Sequence, residues 1–154
     1  AVLGLPYAFA SHFAPGDLDA ALQLYRQRFE ATEFGQKPRF MLAVNVIVAD
    51  TDDQARRLRT SQQISFARLR TGMPGLLPPP VDNLQDAVPA RILPTVDAAL
   101  AVSAVGAPAT VAAALERLIA RYQPDELILV GNIFEQQARH RSFAMAAEIL
   151  RGRG

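Results

Sequence analysis

The sequence contains no cysteine and no tryptophan, and only two of its 154 residues are histidines. Without cysteine, neither a disulfide framework nor a thiolate zinc site can form. Because only His12 and His140 could supply imidazole ligands, we expect no metal site. The lack of disulfides also agrees with a cytoplasmic location, which is the location that we expect.

A strong charge of one sign and a long apolar run are missing as well. Sixteen basic and fifteen acidic residues give a formal net charge of +1. We therefore expect neither nucleic acid nor a membrane surface as a partner. No apolar run approaches the roughly 18 residues of a membrane-spanning helix. Because 50% of the residues are hydrophobic, the composition predicts a globular chain with a sizeable core.

Two hydrophobic patterns alternate along the sequence, one typical of buried strands and the other of helices. Short apolar segments bounded by turn residues predict buried strands at 5–11, 39–50 and 126–131. Apolar residues at helical spacing predict helices at about 17–30, 51–70, 108–122 and 135–150, with a short helical piece around 96–104. Strands that alternate with helices indicate an α/β fold with parallel pairing and right-handed crossovers.

One stretch departs from this alternation. Residues 72–97 contain six prolines, which excludes a long helix or a central strand there. Because the pattern resumes afterwards, we interpret this stretch as an irregular insertion within a single domain, 1–154, and not as a linker.

The start of the sequence suggests a part of something larger. "AVLG" is typical of the last turn of a helix closed by Gly4 in the left-handed conformation. Three strands are also too few to bury such continuously apolar segments on both faces. We therefore expect a portion of a larger sheet or barrel.

The candidate pocket residues are polar groups on the strands, because parallel α/β folds bind ligands at the carboxyl ends of their strands. They are Ser11, His12, Asn45 and Asn132. Each has a structural alternative: His12 could cap the next turn, Asn45 could make an internal hydrogen bond, and Asn132 could cap the last helix. No catalytic residue can be assigned, since no dinucleotide fingerprint, P-loop or G-x-S-x-G elbow is present.

Two basic clusters are expected to be solvated faces. One contains Arg56, Arg57 and Arg59, with Asp52 and Asp53 as partners one turn away. The other is "RHRS" at 139–142.

Three passages together resemble the bacterial luciferase-like family of flavin-dependent monooxygenases. "AVLGLPYAFASHFAPGDLDAALQLYRQRF" is similar to the family's sixth strand with its flanking helices, and "MLAVNVIVADTDDQARRL" to the seventh strand. "SAVGAPATVAAALERLIARYQPDELILVGNIFEQQARHRSFAMAAEIL" resembles the closing segment, with a "VG-small-P" helix start, the eighth strand and the final helix. Each motif is weak by itself, but the order and spacing of the three make the combination specific for the family.

The resemblance implies the carboxyl-terminal portion of a (β/α)8 TIM barrel, with three βα units and the proline-rich insertion as a flexible lid. It also implies a dimer that binds reduced FMN, or a deazaflavin in some relatives. Such enzymes oxidise a small organic substrate with O2, often with a separate flavin reductase. Ser11, His12, Asn45 and Asn132 would then line the pocket of the cofactor or substrate.

The sequence departs from the family at two points. Ala107 and Ala109 replace a hydroxyl residue and an acid, so the side-chain cap of the helix at Pro108 is missing. The first five strands, with much of the flavin-phosphate site, also have no counterpart, so we expect the isolated chain to lack a complete flavin site. The alternative is a non-catalytic α/β assembly or interaction domain derived from that fold.

Overall fold

The computed structural model describes residues 1–152 as an α/β fold. Its strands are Tyr7–Phe9 (β1), Phe40–Val48 (β2), Ser103–Gly106 (β3) and Glu126–Val130 (β4). Its α-helices are Leu18–Gln27 (α1), Asp52–Arg70 (α2), Leu93–Ala99 (α3), Pro108–Tyr122 (α4) and Gln136–Arg151 (α5). Across residues 1–152, no helix combines the length and the apolar character needed to cross a membrane.

The sheet is organised around β2, which pairs in parallel with each of the other three strands. Tyr7 of β1 lies beside Phe40, and Glu126 of β4 lies beside Met41. The short strand β3 pairs with the last part of β2, with Ser103 beside Asn45. Parallel pairing confirms the predicted fold class, and the sheet is open, since within the described residues β1 and β4 pair only with β2.

The two faces of β2 pack against different helices because successive side chains point to opposite sides of a strand. Its even-numbered residues form the main core with α1, α4 and α5; the members from β2, α1 and α4 include Phe40, Leu42, Val44, Val46, Leu18, Leu22, Val111 and Leu115. Each such buried side chain contributes about 1.5–3 kcal/mol. On the other face, Ile47 packs against Ala55 of α2.

The predicted helical piece around 96–104 is wrong in its second half. The helix ends at Ala99, and β3 follows as a fourth strand where the sequence predicted only three. Backbone bonds explain the strand: Asn45 N donates to Val102 O at 3.1 Å, and Ala49 N donates to Gly106 O at 3.2 Å. Without the segment 102–106, the N–H groups of Asn45 in β2 and of Ala49 just after it would lose these partners.

The proline-rich stretch is irregular at 73–83 but ordered in its later part. Two 3-10 turns, at Leu84–Asp86 and Ala90–Ile92, lead into α3, which starts four residues before the predicted end of the insertion at residue 97. Pro94 lies in the first turn of α3, where proline is tolerated. Val88 and Val96 pack against Phe66 of α2 in a second apolar cluster, so this segment is part of the fold.

The prediction that residues 1–4 are the last turn of a helix closed by Gly4 is half right. Gly4 adopts the left-handed conformation, with φ +64°, and a side chain at this position would overlap Thr32. However, the residues before it form a turn closed by the bond from Gly4 N to Ala1 O at 3.0 Å, and not a helix.

Candidate functional site

Ser11 lies just beyond β1 and is fully buried. Its hydroxyl donates to the carbonyl oxygen of Ala43 at 2.5 Å and is 3.3 Å from that of Phe9. The hydroxyl therefore fastens the end of β1 to β2, which is a structural use of its single proton.

Asn45, in the middle of β2, is a fully buried junction of three elements. Its Nδ2 donates to the backbone oxygen of His12 at 2.8 Å, and its Oδ1 accepts from Gln62 Nε2 of α2 at 2.7 Å. The geometry thus gives Asn45 the internal hydrogen bonds that the sequence left as one of two alternatives.

Several buried polar atoms of the junction residues, and of Ser61 next to Gln62 in the sequence, have no hydrogen-bond partner among the described residues. They are His12 Nδ1, Ser61 Oγ and Gln62 Oε1. A buried polar atom without a partner costs about 1–3 kcal/mol, so such atoms are concentrated where a protein binds water or a ligand. We call His12, Asn45, Ser61 and Gln62 the polar cluster.

Sequence reasoning missed Ser61 and Gln62 as members of this cluster. Gln62 stands midway between Leu58 and Phe66, at the spacing of an apolar helical stripe, and it is only 1% exposed. An amide in an apolar stripe needs a buried partner, and that was the available signal. For Ser61 the sequence offered no comparable signal.

Asn132 lies two residues beyond β4 and is half-buried. Within residues 1–152, no hydrogen bond joins it to the polar cluster. The N-cap position of α5 belongs to Glu135, so the structure does not support the alternative in which Asn132 caps this helix.

The arginine cluster on α2 is only partly solvated. Arg57 pairs with Asp82 at 2.6 Å, and Arg56 pairs with Asp53. Arg59 is an exception to the predicted solvated face, because it is partly buried and its Nη2 reaches the carbonyl oxygen of Leu100 at 3.5 Å. Burial lowers the pKa of Arg59, and the nearby charge of Asp97 partly opposes this effect.

Asp52 does not pair with the arginines as predicted but supplies the missing cap of α4. Its Oδ1 accepts a hydrogen bond from Ala107 N at 2.7 Å. This bond, and then the Thr110 hydroxyl, hold the pKa of Asp52 below its usual range, with a smaller contribution from the charge of Arg56. A carboxylate from α2 therefore replaces the local hydroxyl cap that the sequence lacks.

Replacing Asp52 with asparagine should make the free energy of unfolding depend less on pH in the acid range. Because the folded-state pKa is lowered, the carboxylate stabilises the fold above its unfolded-state pKa, and this contribution is lost as pH falls through the folded-state pKa. Urea unfolding across the acid range should show a difference from the unmodified chain that shrinks as pH falls. The matched control is Asp53→Asn on the exposed side of α2, and an identical profile for both variants would contradict the prediction.

The amino-acid sequence is similar to those of known proteins. The chain is 42% identical to a luciferase-like monooxygenase of Escherichia coli K12 over 149 residues, which is 97% of the chain and 44% of that protein. It is 36% identical to the Bacillus subtilis protein YvbT over 98% of the chain and 45% of that protein. No protein-family model matches the chain.

Solved structures agree with the sequence relatives. The apo-MsnO8 crystal structure superposes with a TM-score of 0.80 at 29% identity, over 97% of this chain and 46% of that one. The monooxygenase RslO1 from Streptomyces bottropensis shares the fold, with a TM-score of 0.53 at 19% identity over 97% of this chain and 41% of its own. The chain therefore belongs to the luciferase-like monooxygenase family, and it spans less than half of the length of the relatives that it matches.

Proposed function

We propose that the chain is the carboxyl-terminal portion of a luciferase-like monooxygenase with a (β/α)8 barrel. The whole protein would oxidise a small organic substrate with O2 and reduced flavin, either FMN or a deazaflavin. The observation that carries this proposal is the 42% identity over 149 residues to the Escherichia coli relative. In this family the flavin reacts with oxygen. The protein binds and orients the flavin and the substrate, and it excludes water from the site.

The open sheet supports a role as part of a barrel. Leu127 and Leu129 of β4 pack into the main core, so Ile128 between them points to the opposite face, where it is 43% exposed. A half-exposed isoleucine in the middle of a parallel strand is unusual, because parallel sheets are normally covered on both faces. Further strands of a barrel would cover it.

The described residues do not by themselves fit a flavin. The polar cluster has unpaired atoms that could meet the carbonyl or imide groups of a ring, but these atoms are buried within the chain. The cluster also contains no arginine or lysine for the phosphate of FMN. We therefore propose that this chain supports the wall of a pocket, because Asn45 joins β2 to the loop after β1 and to the middle of α2.

The wider setting is proposed from the family. A homodimer, a separate reductase that delivers reduced flavin, and a cytoplasmic location are typical of such enzymes. The lack of cysteine agrees with a reducing compartment.

Titration of FMN tests the proposal on two proteins. The 154-residue chain should bind FMN more weakly than about 1 mM, because the phosphate contacts are missing. A protein that joins this chain to the preceding part of the Escherichia coli relative should bind reduced FMN and consume O2 with a suitable substrate. Tight binding by the short chain, measured by fluorescence quenching, would contradict the assignment of the phosphate site to another part of the protein.

A second candidate function is a non-catalytic assembly domain. The unpaired edges of β1 and β4 and the exposed Ile128 favour it, because unpaired strand edges and exposed apolar faces promote association. Analytical ultracentrifugation of the chain separates the cases, since a well-behaved monomer excludes obligatory association.

A further inference from the structure

We propose that the free edges of β1 and β4, with the sheet face between them, bind the amino-terminal half of a luciferase-like monooxygenase as a separate polypeptide. This inference rests on the proposed function, because it takes the chain to be a portion of a barrel. It goes further, because it states that the two halves associate without a peptide bond between them. The surface, the partner and the test follow from the burial and pairing of the strands.

The exposed strand surface lies on the flanking strands and not on the central one. Every residue of β2 is buried or partly buried. By contrast, Ala8 in the middle of β1 and Ile128 in the middle of β4 are exposed. The core around β2 is therefore complete within residues 1–152, whereas β1 and β4 each have a side that nothing in these residues covers.

The outer edges of β1 and β4 carry unpaired backbone groups. Tyr7 N and Asp125 N donate to backbone oxygens at the start of β2, at 2.9 and 2.8 Å. Because alternate residues of a strand bond to opposite neighbours, the N–H groups of Ala8 and Ile128 point away from β2. Within the described residues β1 and β4 pair only with β2. Two free strand edges are templates to which further strands can be added.

The sheet face between these edges is apolar. Ala8 is in register with Met41, and Ile128 is in register with Ala43. These four side chains point away from the main core, which takes the residues that alternate with them in each strand. We call the four residues the inner face. Side chains of this kind fill the interior of a barrel together with those of the other strands.

The charges beside the inner face do not oppose an apolar partner. Glu126 is in register with Met41 at the amino end of this face. Its carboxylate is paired with Arg39 at 3.0 Å. A polypeptide that covers the inner face therefore does not have to supply a counter-charge.

The number of strands favours an amino-terminal half over a second copy of this chain. Among the described residues, β1, β2 and β4 lie side by side along the first half of β2. Two copies would bring only six such strands, whereas about eight strands enclose an interior that side chains fill. The relatives have further chain for this purpose, since the match covers 44% of the Escherichia coli protein and 46% of the apo-MsnO8 chain.

The test is co-expression of the 154-residue chain with the amino-terminal part of the Escherichia coli relative that lies outside the match. A tag on that part should recover both polypeptides, and sedimentation should show a complex with one copy of each. Ala8→Lys places a charge on the inner face and should lower the amount recovered at least about tenfold, because the charge must be desolvated. The matched control is Ala113→Lys, at an exposed alanine of α4, which should leave recovery unchanged.

Ile128→Lys is a second, independent variant on the opposite strand. It should lower recovery as Ala8→Lys does. Because both side chains are exposed in the free chain, both variants should retain the circular dichroism spectrum of the unmodified chain.

Three outcomes would overturn the inference. The first is that the two separate polypeptides form no complex, and the second is a complex that both lysine variants leave intact. The third is self-association of the chain that Ile128→Lys abolishes, which would assign the inner face to a second copy. Complex formation is measured without flavin, so a joined full-length protein that fails to bind reduced FMN would reject the proposed function by a separate result.

Discussion

Replacing Gly106 with alanine is expected to destabilise the chain by about 2–4 kcal/mol, which combines backbone strain with the loss of a helix cap. Gly106 has φ +150°, and a Cβ there would lie 2.5 Å from Asp52 Oδ1 and 2.6 Å from Thr110 Cγ2. The carboxylate would have to move, and its hydrogen bond to Ala107 N would be lost. Urea unfolding monitored by circular dichroism measures the change.

Gly75→Ala is the control for this substitution. Nothing lies within 4 Å of a Cβ at Gly75, so its alanine variant should be within about 0.5 kcal/mol of the unmodified chain. Equal effects at the two glycines would show that the carboxylate and Thr110 do not restrict Gly106.

The second large effect is expected at Asn45. Asn45→Leu keeps the size of the side chain but leaves the backbone oxygen of His12 and Nε2 of Gln62 without their partner. Each buried group that loses its partner costs about 1–3 kcal/mol, so we expect a loss of about 2–5 kcal/mol. Equilibrium unfolding in urea gives the value.

A double-mutant cycle separates the contribution of the Asn45–Gln62 pair. Gln62→Leu should also destabilise the chain, but the double variant Asn45→Leu, Gln62→Leu should lose less than the sum of the single variants, because it removes both polar partners. Additive losses would mean that the two amides do not depend on each other.

The elements predicted correctly are those with strong local patterns. Pro108 suits only the first turn of a helix, and the predicted helix 108–122 coincides with α4. The predicted strand at 39–50 contains β2. This prediction succeeded because a continuous run of apolar and β-branched side chains is buried better in a strand than in a helix or a loop. Thr51 caps α2 through a local contact, since its hydroxyl accepts from the backbone N–H of Gln54, three residues later.

The errors concern residues whose partners are distant in the sequence. Ser103 belongs to a strand only because the end of β2 supplies its hydrogen bonds. Arg59 is partly buried because α3 packs on α2, which no pattern within α2 indicates. Asp52 is a cap because α4 begins beside it, 55 residues later in the sequence.

The candidate site was also only partly predictable from the sequence. The sequence identified Asn45 as a polar group that needs partners, because an amide inside an apolar strand is recognisable locally. It could not identify Gln62 as the partner, since 17 residues separate the two and their contact depends on how α2 crosses β2.

The sequence by itself determined the alternation of strands and helices, the parallel fold class and the resemblance to luciferase-like monooxygenases. These follow from hydrophobic periodicity and short-range turn chemistry, which act over a few residues. Only the tertiary structure decided the fourth strand, the cap supplied by Asp52 and the polar cluster. Each of these depends on contacts between segments distant in the chain, and buried hydrogen bonds and charges are satisfied by whichever group folding brings near.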